Sequence, residues 1–127
     1  MKKCPFCIEE KNSRIIMEGD YAYAMLDKYP VTEGHALIIP KRHFADYFSI
    51  TAEENQAVFD LILSRKKALL DNDPSITGFN IGVNSGQAAG QTILHCHIHL
   101  IPRRTGDLDD PRGGVRGVIP HKMRYSD

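Results

Sequence analysis

The chain has 127 residues, 42% of them hydrophobic and 25% charged, close to the commonest size and composition of one globular unit. Its formal net charge is zero and its pI about 7.0, which excludes the basic excess of a general nucleic-acid or membrane-surface binder. No apolar run approaches the roughly 18 residues needed to cross a bilayer, and Met1-Lys2-Lys3 is not followed by the apolar core of a signal peptide, so a cytoplasmic protein is expected.

In chain order, Cys4-Pro5-Phe6-Cys7 comes first. The three cysteines are an odd number and two of them share one Cys-x-x-Cys, which is not a disulfide framework. The motif is open to two readings, a redox pair or half of a zinc site. Two strand-like runs follow, 14–17 and 21–26, separated by Glu18-Gly19-Asp20, and together they predict a β-hairpin. His35-Ala-Leu-Ile-Ile-Pro40 is a short apolar run bounded by Gly34 and Pro40, and predicts a buried strand. Thr51-Ala-Glu-Glu54 is a capping box. Val58, Leu61, Ile62 and Leu69 then recur at helical spacing, so one amphipathic helix is predicted over 51–71, stopped by Asn72 and Pro74.

Residues 78–84 predict a strand, and 94–101 another, ended by Pro102. From 105 to 127 the chain is rich in Gly and Pro and predicts a loop-rich tail. The order β-β-β-α-β-β lacks the repeated crossover helices of a parallel sheet. It predicts an α+β fold, an antiparallel sheet with one main helix on a face, and a single domain over 1–127.

The strand at 94–101 carries the chemistry. His95, His97 and His99 occupy alternate positions, three of the six histidines in the chain. In a regular strand they share one face, while Cys96, Ile98 and Leu100 turn to the core. His95 and His99 would then be roughly 13 Å apart at the backbone, too far to close on one metal together with His97 at Zn–N bonds of about 2.0 Å. Catalysis fits the pattern better. A neutral imidazole is a nucleophile near pH 7, and flanking imidazoles can donate to phosphate oxygens or protonate a leaving group.

His95-Cys-His-Ile-His99-Leu-Ile101 resembles the signature of the histidine triad family. Gly90-Gln91-Thr92, Asn84, the Gly34-His35 pair, Ile38-Ile-Pro-Lys41 and Asp27 match further segments of that family in the same order, so the resemblance covers 4–104. It implies a five-stranded HIT-like sheet that pairs with a second copy into one continuous sheet, a homodimer. It also implies a nucleotidyl hydrolase acting at the α-phosphate of a dinucleoside polyphosphate or a nucleoside phosphoramidate. A nucleotidyltransferase or phosphorylase, or a nucleotide-binding regulatory protein with slow turnover, are the alternatives.

By the same resemblance His97 is the nucleophile, and His99, His95 and His35 complete the catalytic set. Asp27 receives the ribose, while Asn84, Gly90, Gln91, Thr92 and His99 meet the nucleotide, with adenine the expected base. Some members carry structural zinc, which here would use Cys4, Cys7, His43 and His95; the chemistry itself requires no cofactor. One departure is the absence of Trp: the phosphoramidate-cleaving branch often places a Trp near the C-terminus, so the leaving group stays open. Phe6 and Met25 are the expected pocket walls, and Arg112, Arg116 and His121 are expected at the surface.

Overall fold

The structure is a computed structural model that describes residues 4–8 and 13–125. The ends of the expected 1–127 unit, including residues 126–127 of the tail, lie outside the described residues.

Five strands form one sheet: β1 (Ile15–Glu18), β2 (Ala22–Leu26), β3 (Ala36–Pro40), β4 (Ile76–Val83) and β5 (Ile98–Arg104). Their order is β1-β2-β3-β5-β4, and every neighbouring pair is antiparallel. The central strand β3 is buried at all of its positions. That explains why it reads as an unbroken apolar run rather than an alternating one, since both of its faces are covered. In β2 the alternation divides between two cores. Ala22 and Ala24 turn toward the helix side with Ile38, Phe44, Val58, Cys96 and Ile98. Tyr23 and Met25 turn to the other side with Leu37, Ile39 and Phe6.

The helix α1 spans Ala52–Asn72 and packs on β2 and β3. Its start is as the sequence predicts. The Thr51 hydroxyl accepts from the Glu54 amide at 3.1 Å, and the Glu54 carboxylate accepts from the Thr51 amide at 2.9 Å. The buried Glu54 also receives both arms of Arg42 at 2.9 Å. That pair ties the helix start to the segment carrying His43.

The starts of β4 and β5 differ from expectation, and β5 does not end at Pro102 but continues to Arg104, with Pro102 registered opposite Phe79. β4 begins at Ile76 because Asp73 caps the helix end and its carboxylate turns the chain at once, accepting from the Ser75 amide at 3.0 Å. β5 begins at Ile98 rather than at 94. Before it, the Cys96 amide donates to the Phe44 carbonyl at 2.7 Å, and the His95 ring is drawn onto the Pro40 carbonyl at 2.7 Å. His95 therefore does not share a strand face with His97 and His99. The tail carries two short 3-10 turns, Gly114–Val118 and Pro120–Lys122, and the first packs against β4. No helix is long and apolar enough to cross a membrane among the described residues.

Candidate active site and metal centre

Five histidines come from four places in the chain: His35 at the entrance to β3, His43 just beyond its exit, His95 and His97 in the approach to β5, and His99 within it. Backbone partners assign a tautomer to three of them, and a ring contact carries the assignment to a fourth. A carbonyl can only accept and an amide can only donate.

His97 Nδ1 lies 2.8 Å from the His95 carbonyl, so Nδ1 carries the proton and Nε2 keeps its lone pair. His95 Nε2 lies 2.7 Å from the Pro40 carbonyl, so Nε2 carries the proton and Nδ1 keeps its lone pair. The Val31 amide donates to His35 Nδ1 at 3.0 Å, which leaves the His35 proton on Nε2. That nitrogen is 2.9 Å from His99 Nδ1. His99 accepts there and carries its own proton on Nε2. The approach to β5 thus presents an unprotonated nitrogen on His97, and β5 itself an N–H donor on His99, with ring centroids 5.4 Å apart.

Burial favours the neutral forms of His35, His95 and His99. It lowers the pKa of His35 and His99 below the ordinary 6.5; for His99 the neighbouring His97 and His35 rings lower it further, and the Asp27 carboxylate pulls both back up. Burial lowers His95 as well, against the opposing bond to Pro40.

Asp27 follows β2 directly. One carboxylate oxygen accepts from the Tyr29 amide at 2.7 Å, and the other stands 3.4 Å from His35 Nε2 and 3.9 Å from His99 Nδ1. Asp27, His35 and His99 are close enough together to hold a cation. The Val31 amide already occupies His35 Nδ1 and the Nε2 proton points at His99, so the two rings are joined by a hydrogen bond, with the Asp27 carboxylate beside them, rather than arranged as a ligand set. Phe6 is buried, its hydroxyl partner Tyr23 donating to its carbonyl at 2.7 Å, and its ring meets that of His97 edge-on at 4.9 Å.

The loop 84–92 lies between β4 and the approach to β5. Asn84 follows the Val83–Ile98 pair, and the register carries it to the level of His97. Gly90 closes the 3-10 turn Gln87–Ala89 with φ of 94°; a side chain there would be strained although the space around it is open. Thr92 is exposed. Gln91 is buried, and its carboxamide is committed to the loop. Its oxygen accepts from the Gly86 amide at 2.9 Å, and its two protons go to the Ala45 and Ile93 carbonyls at 2.9 and 3.1 Å. To donate to a nucleotide, Gln91 would have to release one of those carbonyls.

Cys4, Cys7, His43 and His95 converge with their ligating atoms all within 4.8 Å of one another. Cys4 Sγ is 3.4 Å from His95 Nδ1, Cys7 Sγ is 3.3 Å from His43 Nδ1 and 3.6 Å from His95 Nδ1, and the two Nδ1 atoms are 3.1 Å apart. The edges of a zinc tetrahedron with nitrogen and sulfur ligands run about 3.3–3.8 Å, so the donor set fits zinc in spacing and in kind. The Pro40 carbonyl supplies the outer partner that fixes a ligating histidine. These residues could hold zinc as a closed structural site. His121 is exposed, Arg112 pairs with Asp110, and Arg116 bonds the Met123 and Lys122 carbonyls, so these two arginines stay with the tail.

What the sequence did not show was the backbone. The carbonyls of His95 and Pro40 and the amide of Val31 set three tautomers, and no side-chain pattern marks them.

The chain and its fold are similar to known proteins. The chain is 41% identical over 96 residues to the adenylylsulfatase HINT3 of Arabidopsis thaliana, a match that covers 72% of this chain and 46% of that protein, less than half its length. The crystal structure of a HIT family protein from Bacillus anthracis superposes with a TM-score of 0.74 at 36% identity, covering 82% of this chain and 75% of that one. A zinc-bound histidine triad family protein from Mycobacterium smegmatis superposes with a TM-score of 0.69 at 34% identity, over 76% of this chain and 70% of that one. The HIT domain family model matches residues 9–106, and the chain belongs to that family.

Proposed function

We propose that the protein hydrolyses a nucleotide conjugate at its α-phosphate through a covalent intermediate on His97. The observation that carries this reading is the 2.8 Å bond from His97 Nδ1 to the His95 carbonyl, which leaves Nε2 unprotonated on a ring whose centroid is 5.4 Å from that of His99.

In the proposed reaction His97 Nε2 attacks the α-phosphorus. An N–P bond forms, and the bond from phosphorus to the leaving oxygen or nitrogen breaks, its electron pair departing with the leaving group, which takes up a proton from solvent. Water then attacks the same phosphorus and gives up a proton to solvent, the N–P bond breaks, and the lone pair returns to Nε2. The sum is conjugate plus water giving nucleoside monophosphate and the freed leaving group. His99 donates its Nε2 proton to a non-bridging oxygen, where negative charge grows in the transition state. Thr92 adds a hydroxyl donor, Gly90 lets the backbone approach, and Asn84 closes that side. Asp27 accepts from the ribose hydroxyls. The base is read as adenine; Phe6 and Met25, expected as its walls, are buried in the core instead. His35 acts on His99 and does not touch the nucleotide.

Zinc held by Cys4, Cys7, His43 and His95 would tie the N-terminal segment to the approach of β5 and supply no chemistry to the reacting atoms. We read residues 1–127 as one unit. We also read the free edge of β4, with Ile81 on it and Phe59 and Leu63 exposed on α1, as the surface that joins a second copy.

The test of substrate class is release of nucleoside monophosphate from a dinucleoside polyphosphate, a nucleoside phosphoramidate and adenylyl sulfate, the last suggested by the plant relative's name. One of the three should turn over far faster than the others. Tight nucleotide binding with no turnover of any would move the reading to a nucleotide-binding regulatory protein.

A further inference from the structure

Arg65 stands on α1, on the opposite side of the sheet from the histidines. It is half-buried, and its Nε is buried without a hydrogen-bond partner among the described residues. Burial alone lowers its pKa, with no carboxylate among its influences. A half-buried cation without a counter-charge gains nothing from an ion pair to offset its desolvation. The arginine is accounted for by what its other donor holds.

What Arg65 does hold is the Gly34 carbonyl, to which Nη2 donates at 3.2 Å. It does not act alone. Arg104, itself paired with Asp73 at 2.8 Å, donates to the Glu33 carbonyl at 3.0 Å. The Thr32 hydroxyl donates to the Pro102 carbonyl at 2.6 Å. Three consecutive residues of one turn are thus pinned, each by a side-chain bond, to α1 or β5. Gly34 permits the close packing, with φ of 96° and a would-be Cβ only 3.0 Å from Leu69 Cδ2. The same turn carries the Val31 amide that fixes His35, and His35 fixes His99.

We infer that Arg65 is a positioning residue: by holding the Gly34 carbonyl it keeps the Val31 amide on His35 Nδ1, and so keeps the His99 proton on Nε2, facing the nucleotide. The inference rests on the roles assigned above to His97 and His99. Arg104 and Thr32 hold the same turn from the β5 side.

The experiment compares the wild type with Arg65→Met, Arg65→Lys and Thr32→Val. It measures kcat and KM, the thermal midpoint, and the histidine tautomers by two-bond proton–nitrogen NMR of the imidazole rings. Arg65→Met should hold or raise the thermal midpoint, lower kcat about tenfold with KM unchanged, and convert His99 from a single Nε2–H tautomer to a mixture. Arg65→Lys, whose amine still reaches the carbonyl, should restore most of kcat and the single tautomer. Thr32→Val should shift the His99 tautomer in the same direction. A loss of thermal midpoint and of kcat in Arg65→Met with the His35 and His99 spectra unchanged would overturn the inference and leave Arg65 a structural residue. A tautomer shift in Arg65→Met of a wild type that turns over no nucleotide conjugate would support the positioning role and overturn the hydrolase reading instead.

Discussion

The Nε2 atom of His35 lies 2.9 Å from Nδ1 of His99. Because the Val31 amide occupies the other nitrogen of His35, this contact has one direction: His35 donates and His99 accepts. A residue that never reaches the substrate thereby sets which nitrogen of His99 can donate to it. Removing the donor itself should cost more than removing the residue behind it. His99→Ala is expected to lower kcat by about 10²–10⁴-fold, and His35→Ala by about tenfold or more, with KM changed little in the second. Steady-state kinetics on the fastest substrate checks both. Equal losses for the two variants would show that His35 meets the substrate directly.

The same two rings give a pH dependence of stability. Burial holds both below the ordinary imidazole value of 6.5. Between their folded pKa values and 6.5 the unfolded chain therefore binds more protons than the folded one, and stability rises with pH through that window. It is complete above pH 6.5 and lost progressively as the pH falls below it. Denaturant midpoints should be level between pH 7 and 8 and should drop on acidification past about 6.5. In His35→Ala the drop should shrink.

Metal removal addresses the second cluster. The purified protein is expected to carry about one zinc per chain, with Cys4 and Cys7 protected from thiol reagents. Chelation should lower the thermal midpoint and expose both thiols, and His43→Ala should do the same without chelator. Metal-free protein that cycles between a Cys4–Cys7 disulfide and the dithiol would point to the redox reading of the motif.

Association has an equally direct probe. Ile81 is half exposed on the edge strand β4, and Phe59 and Leu63 are exposed on α1. If β4 edges join, Ile81→Glu places a carboxylate where two copies meet and should convert a dimer to a monomer in sedimentation at micromolar concentration. A wild type that sediments as a monomer would remove the dimer from the account.

Much of this fold was legible in the sequence because its signals are local. Thr51 and Glu54 satisfy each other within one helical turn, and the apolar run of β3 reports burial on both faces. Of the boundaries that shifted, the start of β4 follows a local turn at Asp73, whereas the start of β5 was decided from a distance. His95 leaves the strand because the Pro40 carbonyl takes its ring and the Phe44 carbonyl takes the next amide, partners more than fifty residues away in the chain. The candidate site divides in the same way. His97, His99 and the two cysteines announce themselves by residue type and spacing. The groups that set their protonation are backbone carbonyls and amides, which every residue has, so no pattern singles them out. Gln91 stands between these cases: its type marks the loop, and only the structure shows that its amide serves the loop backbone.

The central claim is that His97 becomes covalently bonded to phosphorus. The most direct measurement mixes enzyme in excess with substrate radiolabelled at the α-phosphate, quenches at short times, and follows label on the protein in wild type and His97→Ala. The account predicts an acid-labile labelled protein that forms and decays before labelled nucleoside monophosphate is complete, with no labelled protein and turnover reduced by about 10³-fold or more in the variant. Release of labelled monophosphate by His97→Ala at the wild-type rate, or wild-type turnover with label never on the protein, would contradict it.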